Sequence, residues 1–271
     1  MSERVRYRPF TGDQDRRIRL DAAPLELVLC QVRWPQVSSL QGDLKQVAAA
    51  FGELIPEYPL YASNTEFSFE LTPAGPVQAP GNVLHHWSRA NRSATVTLSP
   101  NFVSLSAKQY EGYDAFASQL ESVLSAVRDT LKLPLFDRVG VRYVNRISNL
   151  EQLEKIQQLV KPELLGHQAL NAVSSEVSLL QAITQSLFQV GDGYLQARSG
   201  VIPPGETVDP SVEPLQTSSW VLDIDSFRQE EALYTPDAVL ARAGKLSDAA
   251  YDFFKLVIQE AFIDEFEGTR L

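Results

Sequence analysis

Three short runs decide the fold class: Val83-Leu-His-His-Trp-Ser-Arg89, Ala94-Thr-Val-Thr-Leu-Ser99 and Phe102-Val-Ser-Leu-Ser106. Each favours extended backbone, and the turn residues Asn91-Arg92 and Pro100-Asn101 mark the joints. Connections this short leave no room for a helical crossover, so the three strands read as an antiparallel meander. Upstream, Pro24 precedes the β-rich run 25–34, which stops at Pro35. Val28, Cys30, Val32 and Trp34 share one of its faces, and Leu25, Leu27 and Leu29 begin the other, as in a central strand. Residues 42–55 place Leu44, Val47, Ala48, Phe51 and Leu54 at helical spacing. Residues 65–71 alternate as a strand, and Pro73, Gly75, Pro76, Pro80 and Gly81 predict a turn-rich loop. Downstream, Phe116, Leu120, Val123, Leu124, Val127 and Leu131 form one apolar stripe of a helix over 113–131. A strand over 137–147 follows.

The second half echoes the first. Residues 150–160 read as helix, 176–188 and 193–202 as strands, and 203–216 as an exposed, Pro-bearing loop. Residues 219–227 are a strand with Trp220, Leu222 and Ile224 inward, and 246–266 predict a terminal helix with Ser247 as N-cap. The fold class is therefore α+β: two tandem, loosely similar antiparallel sheet-plus-helix halves, each ending in a long amphipathic helix. The expected division is an Arg-rich extended arm (1–23), an N-terminal half (24–148) and a C-terminal half with an acidic surface (149–271). A doubly wound nucleotide fold needs alternating βα units and is excluded.

The chain of 271 residues carries a net charge of −10, unevenly spread. Residues 1–20 sum to +3, residues 21–205 to −4 and residues 206–271 to −9. The basic arm and the acidic last third could attract each other, although a solvated arm beside a soluble acidic surface is the simpler expectation. A basic nucleic-acid binder is disfavoured. No apolar run is long enough for a bilayer span, the first ten residues lack the core of a signal peptide, and the single Cys30 fits a reducing cytoplasm, so a cytoplasmic protein without membrane contact is expected.

Few residues announce chemistry. There is no phosphate loop and no nucleophile elbow, no cofactor is implied, and no catalytic residue is assigned. Cys30 reads as a core residue. His85 and His86 are adjacent on a strand, point to opposite faces and cannot simply share a metal. Asp223 and Asp225 lie two apart, so their carboxylates share a face. They are the candidate site for a hard cation, against the simpler reading of a solvent-facing strand. Arg138, Arg142 and Arg146 project from one face of one strand, and Arg33 could join them. With Tyr143 and Asn145 on the opposite face, these are the candidate ligand-binding residues, for an anion or a phosphate-bearing molecule. Pairing of the arginines with carboxylates inside the chain is the favoured alternative. Gly140, in mid-strand, predicts close approach by another element, and so a larger penalty for Gly140→Val than for Gly191→Ala.

Several of these stretches together resemble a known family. Gln31-Val-Arg-Trp34, Thr95-Val-Thr-Leu98, Leu222-Asp-Ile-Asp225, Glu260-Ala-Phe262 and above all the Arg-x-Gly-x-Arg-Tyr-x-Asn strand at 138–145 are similar to a sporadically distributed, uncharacterised prokaryotic family of about this length. The resemblance covers roughly residues 22–267. It implies a two-part α+β protein without established catalytic residues, in mobile or defence-linked gene neighbourhoods. The first functional expectation is thus a non-enzymatic interaction protein, antitoxin-like or a defence-associated accessory partner, whose partner is another protein or itself. The alternatives are a small-molecule or nucleotide binder using the arginine face, and a divalent-metal-dependent phosphodiesterase or nuclease using Asp223 and Asp225.

Overall fold

In the computed structural model, which describes residues 6–15, 17–40, 44–72, 75–170, 176–210 and 212–270, the protein is α+β. Its strands are β1 (Ile18–Leu20), β2 (Leu25–Arg33), β3 (Leu60–Thr72), β4 (Gly75–Ser88), β5 (Ala94–Ser99), β6 (Phe102–Ala107), β7 (Leu135–Ile147), β8 (Ala182–Val190), β9 (Gly193–Ile202), β10 (Ser219–Leu233) and β11 (Gly268–Arg270). Its helices are α1 (Lys45–Glu53), α2 (Tyr113–Leu131), α3 (Leu150–Glu154), α4 (Ile156–Leu159), α5 (Pro236–Val257) and α6 (Glu260–Glu265). Nine strands form an antiparallel sheet in the order β3-β4-β5-β6-β2-β7-β10-β9-β8, and β1 pairs with β11 apart from it. The chain divides into two compact units. One comprises Met1–Val28, Val141–Arg228 and Lys245–Leu271, the other Leu29–Gly140 and Gln229–Gly244.

The second unit contains the meander. His85 pairs with Leu98 and Ser88 with Thr95, then Ala94 pairs with Ala107 and Ser99 with Phe102. The turn at Pro100-Asn101 is held from β2: Trp34 donates its backbone N–H to Asn101 and its indole N–H to the Pro100 carbonyl at 2.9 Å. Val96, Leu98, Val103 and Leu105 are buried with the whole predicted stripe of α2. Each such side chain contributes about 1.5–3 kcal/mol relative to exposure. The helix ends where Lys132 enters the left-handed region at φ 51°. One loop expectation is corrected here. β4 starts at Gly75, and the predicted turn-rich stretch pairs with β3 from Thr72↔Gly75 through Phe67↔Pro80, with a bulge between Thr65 and Phe67. β5 reaches only residues 85–88 of β4, so the prolines at 76 and 80 have a side on which no ladder bond is lost.

The first unit is built on β7–β10 residues 141–147 and 219–228, β8 and β9, packed by α3, α4, the latter part of α5 and α6. Trp220, Leu222 and Ile224 face inward as expected and meet Ala249, Ala250, Phe253, Phe262 and Ile263 in one apolar cluster. The terminal helix begins earlier than its apolar pattern suggests. Thr235, not Ser247, is the cap, its hydroxyl accepting the N–H of Ala238 at 3.1 Å, and Pro236 occupies the first helical position. Ser247 lies inside α5, where its hydroxyl meets Tyr143 Oη at 2.7 Å. The helix breaks between α5 and α6, where Gln259 donates to the Leu159 carbonyl and Lys161 to that of Val257. β8 begins at Ala182, so residues 176–181 precede the strand instead of starting it.

The described part of the arm is docked at several points, although residues such as Gln14, Asp15 and Arg19 stay exposed. The carboxylate of Asp252 accepts the backbone N–H groups of Phe10 and Thr11 at 2.8 and 2.9 Å and the Thr11 hydroxyl at 2.5 Å. Asp248 accepts the N–H of Tyr7, Arg8 donates to the Asp248 carbonyl, and the Arg8 guanidinium lies over the Tyr251 ring. Phe10 packs edge-on against Phe188 and Phe253. Among the two earlier options, attraction within the chain prevails, and it works through backbone amides as much as through arginine charge.

Candidate functional site

The even-numbered residues of β7 do share a face, and in the first unit Arg142 and Arg146 have different neighbours. Arg142 reaches across to Asp223 of β10 with two bonds, Nε to Oδ1 at 2.7 Å and Nη2 to Oδ2 at 2.9 Å. Its Nη1 takes Asp209 of the 203–216 loop at 2.5 Å. Arg198 comes to Asp223 from the other side, because Asp223 is its cross-strand partner between β10 and β9. Asp223 is 2% exposed, and both its oxygens are occupied by guanidinium groups. Burial disfavours the charge on Arg142, but hydrogen bonds and attraction from Asp223 and Asp209 outweigh it and raise its pKa. Two positive and two negative groups close a cluster that is neutral as a whole.

Arg146 is 4% exposed and meets neutral oxygens instead: Ser219 Oγ at 2.9 Å and the Glu213 carbonyl at 2.6 Å. Burial lowers its pKa, with Glu26 acting in the opposite sense. Tyr143 and Asn145 lie on the opposite face of β7, Tyr143 on Ser247 and Asn145 donating to the Leu222 carbonyl at 3.4 Å. In the second unit, Arg138 donates to Gln31 Oε1 at 3.4 Å, and Arg33 is exposed at the end of β2. Within the first unit, Arg142 and Arg146 thus lie on one face of β7 and Tyr143 and Asn145 on the other. Asp225 sits on the face of Asp223, half-buried and opposite Gln196. Among the described residues, no group of three or more His, Cys, Asp or Glu side chains is placed to hold a metal ion.

The histidines behave as the strand geometry requires. His85 is buried and contacts Tyr61 Oη through Nδ1 at 2.9 Å, within a stack of Tyr61, His85 and Trp87. His86 faces the other way, to Thr97 and Asn64. Burial, then the neighbouring His85, holds the His86 pKa below its usual value. Cys30 is fully buried, and burial pushes its thiol up to about 12 against the opposing field of Arg138. A thiol held protonated in this way is a poor nucleophile.

Sequence reasoning missed a different grouping. Val177, Leu179, Leu180, Ile183, Leu187 and Phe188 are all at least 38% exposed, and they lie on β8 or on the segment leading into it. β8 is the last strand in the sheet order. The available signal was the run 177–190, which contains no ionisable side chain in a chain of net charge −10. Beside it, Tyr194 and Phe227 stack across β9 and β10 with centroids 5.5 Å apart. Among the described residues, no helix is long and apolar enough to cross a membrane. Comparison with protein-family models and with curated proteins finds no match to this chain.

Proposed function

We propose that the chain is a non-enzymatic interaction protein of the cytoplasm, an accessory partner of the antitoxin-like or defence-associated kind that its sequence resemblance implies. The observation that carries this reading is the concentration of exposed apolar side chains on an edge strand and its approach. Large apolar patches of this sort mark association surfaces. Of the charged groups that could have formed a reactive or anion-binding centre, Arg142 and Asp223 are instead engaged with each other and with Arg198 and Asp209. An Asp whose two oxygens each meet a guanidinium favours ion pairing over cation binding.

The order of elements also favours an internal echo of two loosely similar halves. A strand, a helical segment, a run of hairpin strands and a long helix occur as β2–α1–β3 to β6–α2, and again as β7–α3–α4–β8 to β10–α5.

The test is native mass spectrometry of the gently purified chain, co-expressed with its neighbouring genes. A discrete added polypeptide mass is the expected result. A chain that carries no polypeptide partner of any kind, itself included, overturns the reading. A small added mass that Arg146→Met abolishes would transfer support to the ligand-binding alternative.

A further inference from the structure

We propose that two copies of this chain associate through β8, paired antiparallel about a two-fold axis at Gln185, to give a homodimer. This rests on the interaction reading above and names the partner.

β8 ends the sheet order, and among the described residues no strand pairs with its outer side. The backbone groups along that side can therefore template another strand. Edge strands are usually guarded by a charge, a proline or a bulge. β8 has none of these: residues 177–190 hold no ionisable side chain and no proline, and pairing with β9 runs without a slip from Ala182↔Val201 to Val190↔Gly193.

The sequence around Gln185 specifies the occupant. Read outward in both directions it has the same chemical pattern: a hydroxyl side chain (Thr184, Ser186), then an aliphatic one (Ile183, Leu187). In an antiparallel pair centred on Gln185, Ile183 lies opposite Leu187 of the partner subunit, and Leu187 opposite Ile183 of the partner subunit. Thr184 meets Ser186 of the partner subunit on the other face, and the two Gln185 amides meet on the axis. Ile183 and Leu187 share one face of β8 and are 39% and 60% exposed, so both are available to such a contact. A two-fold interface requires a patch that is complementary to itself, and this pattern is. Charge points the same way. Two copies of a chain at −10 repel each other over most surfaces, and an uncharged strand lets them meet without placing like charges together.

Sedimentation equilibrium of the full chain at micromolar concentration is expected to give twice the monomer mass of 30.1 kDa. Leu187→Lys should halve the measured mass while circular dichroism and melting temperature stay as in the parent, which separates lost association from lost folding. Ile183→Glu combined with Leu187→Lys should restore the dimer, because opposite charges then face each other at both ends of the paired segment. Gln185→Cys should form a disulfide-linked dimer under mild oxidation. Gln189→Cys, which faces residue 181 in this register, should not, and the buried Cys30 gives little background. A wild-type monomer, or a dimer that survives Leu187→Lys and is not cross-linked by Gln185→Cys, overturns the proposal. If the wild-type monomer still carries another polypeptide in the mass-spectrometric test, the homodimer falls and the interaction reading stands.

Discussion

The two units place their charges in opposite ways. Among the described residues, the buried charged side chains Arg8, Arg146, Asp223, Asp252 and Lys255 belong to the first unit, whose outermost strand is the uncharged β8. In the second unit the buried polar side chains among the described residues are neutral, namely His85, Ser93, Ser99 and Ser104, while the sequence of its outermost strand, β3, includes Glu66 and Glu70 and the strand is bulged. Interior charge must be matched pair by pair, whereas edge charge works by repelling whatever approaches. The second unit therefore has a conventional interior and an edge strand interrupted by a bulge. The first has a demanding interior and an edge left open, which is the arrangement expected where an edge is used.

The largest expected effect tests how β8 is held. Gly200 of β9 adopts φ +143°, and an added Cβ would lie 1.8 Å from the Ala182 carbonyl oxygen. Gly200→Ala should cost about 3 kcal/mol or more in denaturant unfolding and strip amide protection from residues 182–190. Unchanged protection would mean that this close backbone approach does not fix β8. Next, Asp223→Ala leaves Arg142 and Arg198 facing each other without the shared carboxylate and should cost about 3 kcal/mol. A loss below about 1 kcal/mol would break the contrast between a charge-dependent and a neutral interior.

The neutral interior has its own signature, at high pH. Burial raises the Cys30 thiol from 9.0 to about 12, so the folded chain keeps a proton that the unfolded chain releases above pH 9. The stability from this group is whole below pH 9 and is lost as pH rises from 9 towards 12, by about 1 kcal/mol at pH 10. Tyr234, raised mainly by burial, acts in the same sense. Cys30→Ala should flatten the fall of melting temperature between pH 9 and 10, and an unaltered slope would refute this assignment. The smallest effect in stability is at the edges. Leu60→Lys in β3 and Leu187→Lys in β8 replace exposed residues and should each change stability by less than about 0.5 kcal/mol. Only the second should change the mass in solution, and equal behaviour of the two would erase the distinction between the edges.

What the sequence disclosed follows a physical divide. The stripe of α2 and the meander are local: spacing within a few residues determines which side chains face inward, and short turns determine which strands pair. The start of α5 was hidden because its first turns, from Pro236 to Lys245, interleave polar and apolar residues without a clean stripe, while Thr235-Pro236 is a cap signal that reads equally well as a turn. Arg142 and Asp223 were legible as residues on strand faces, but alternation names a face and not the neighbour across it. Arg198 and Asp209, which complete the cluster, come from β9 and a loop distant in sequence from β7. Gly140 shows the same limit. An added Cβ there would first meet the Arg138 guanidinium at 2.9 Å, the movable end of a side chain in the same strand. Gly191, by contrast, sits at φ +61° with the Tyr7 hydroxyl 2.9 Å from the same point. Strain at Gly191 does not relax by moving a side chain, so alanine there carries a backbone cost that its place in a turn did not suggest.

The seat of residues 6–13 on α5, together with the pairing of Ile18 with Arg270 and Leu20 with Gly268, has a consequence for synthesis. A ribosome delivers residues 6–20 long before residues 245–270 exist, so the earliest part of the first unit must wait for the latest. Contacts separated by some 240 residues close slowly. Until residue 253 has been made, the apolar ring of Phe10 lacks Phe253 to cover it, and exposed apolar surface of this kind is what makes a growing chain prone to aggregate.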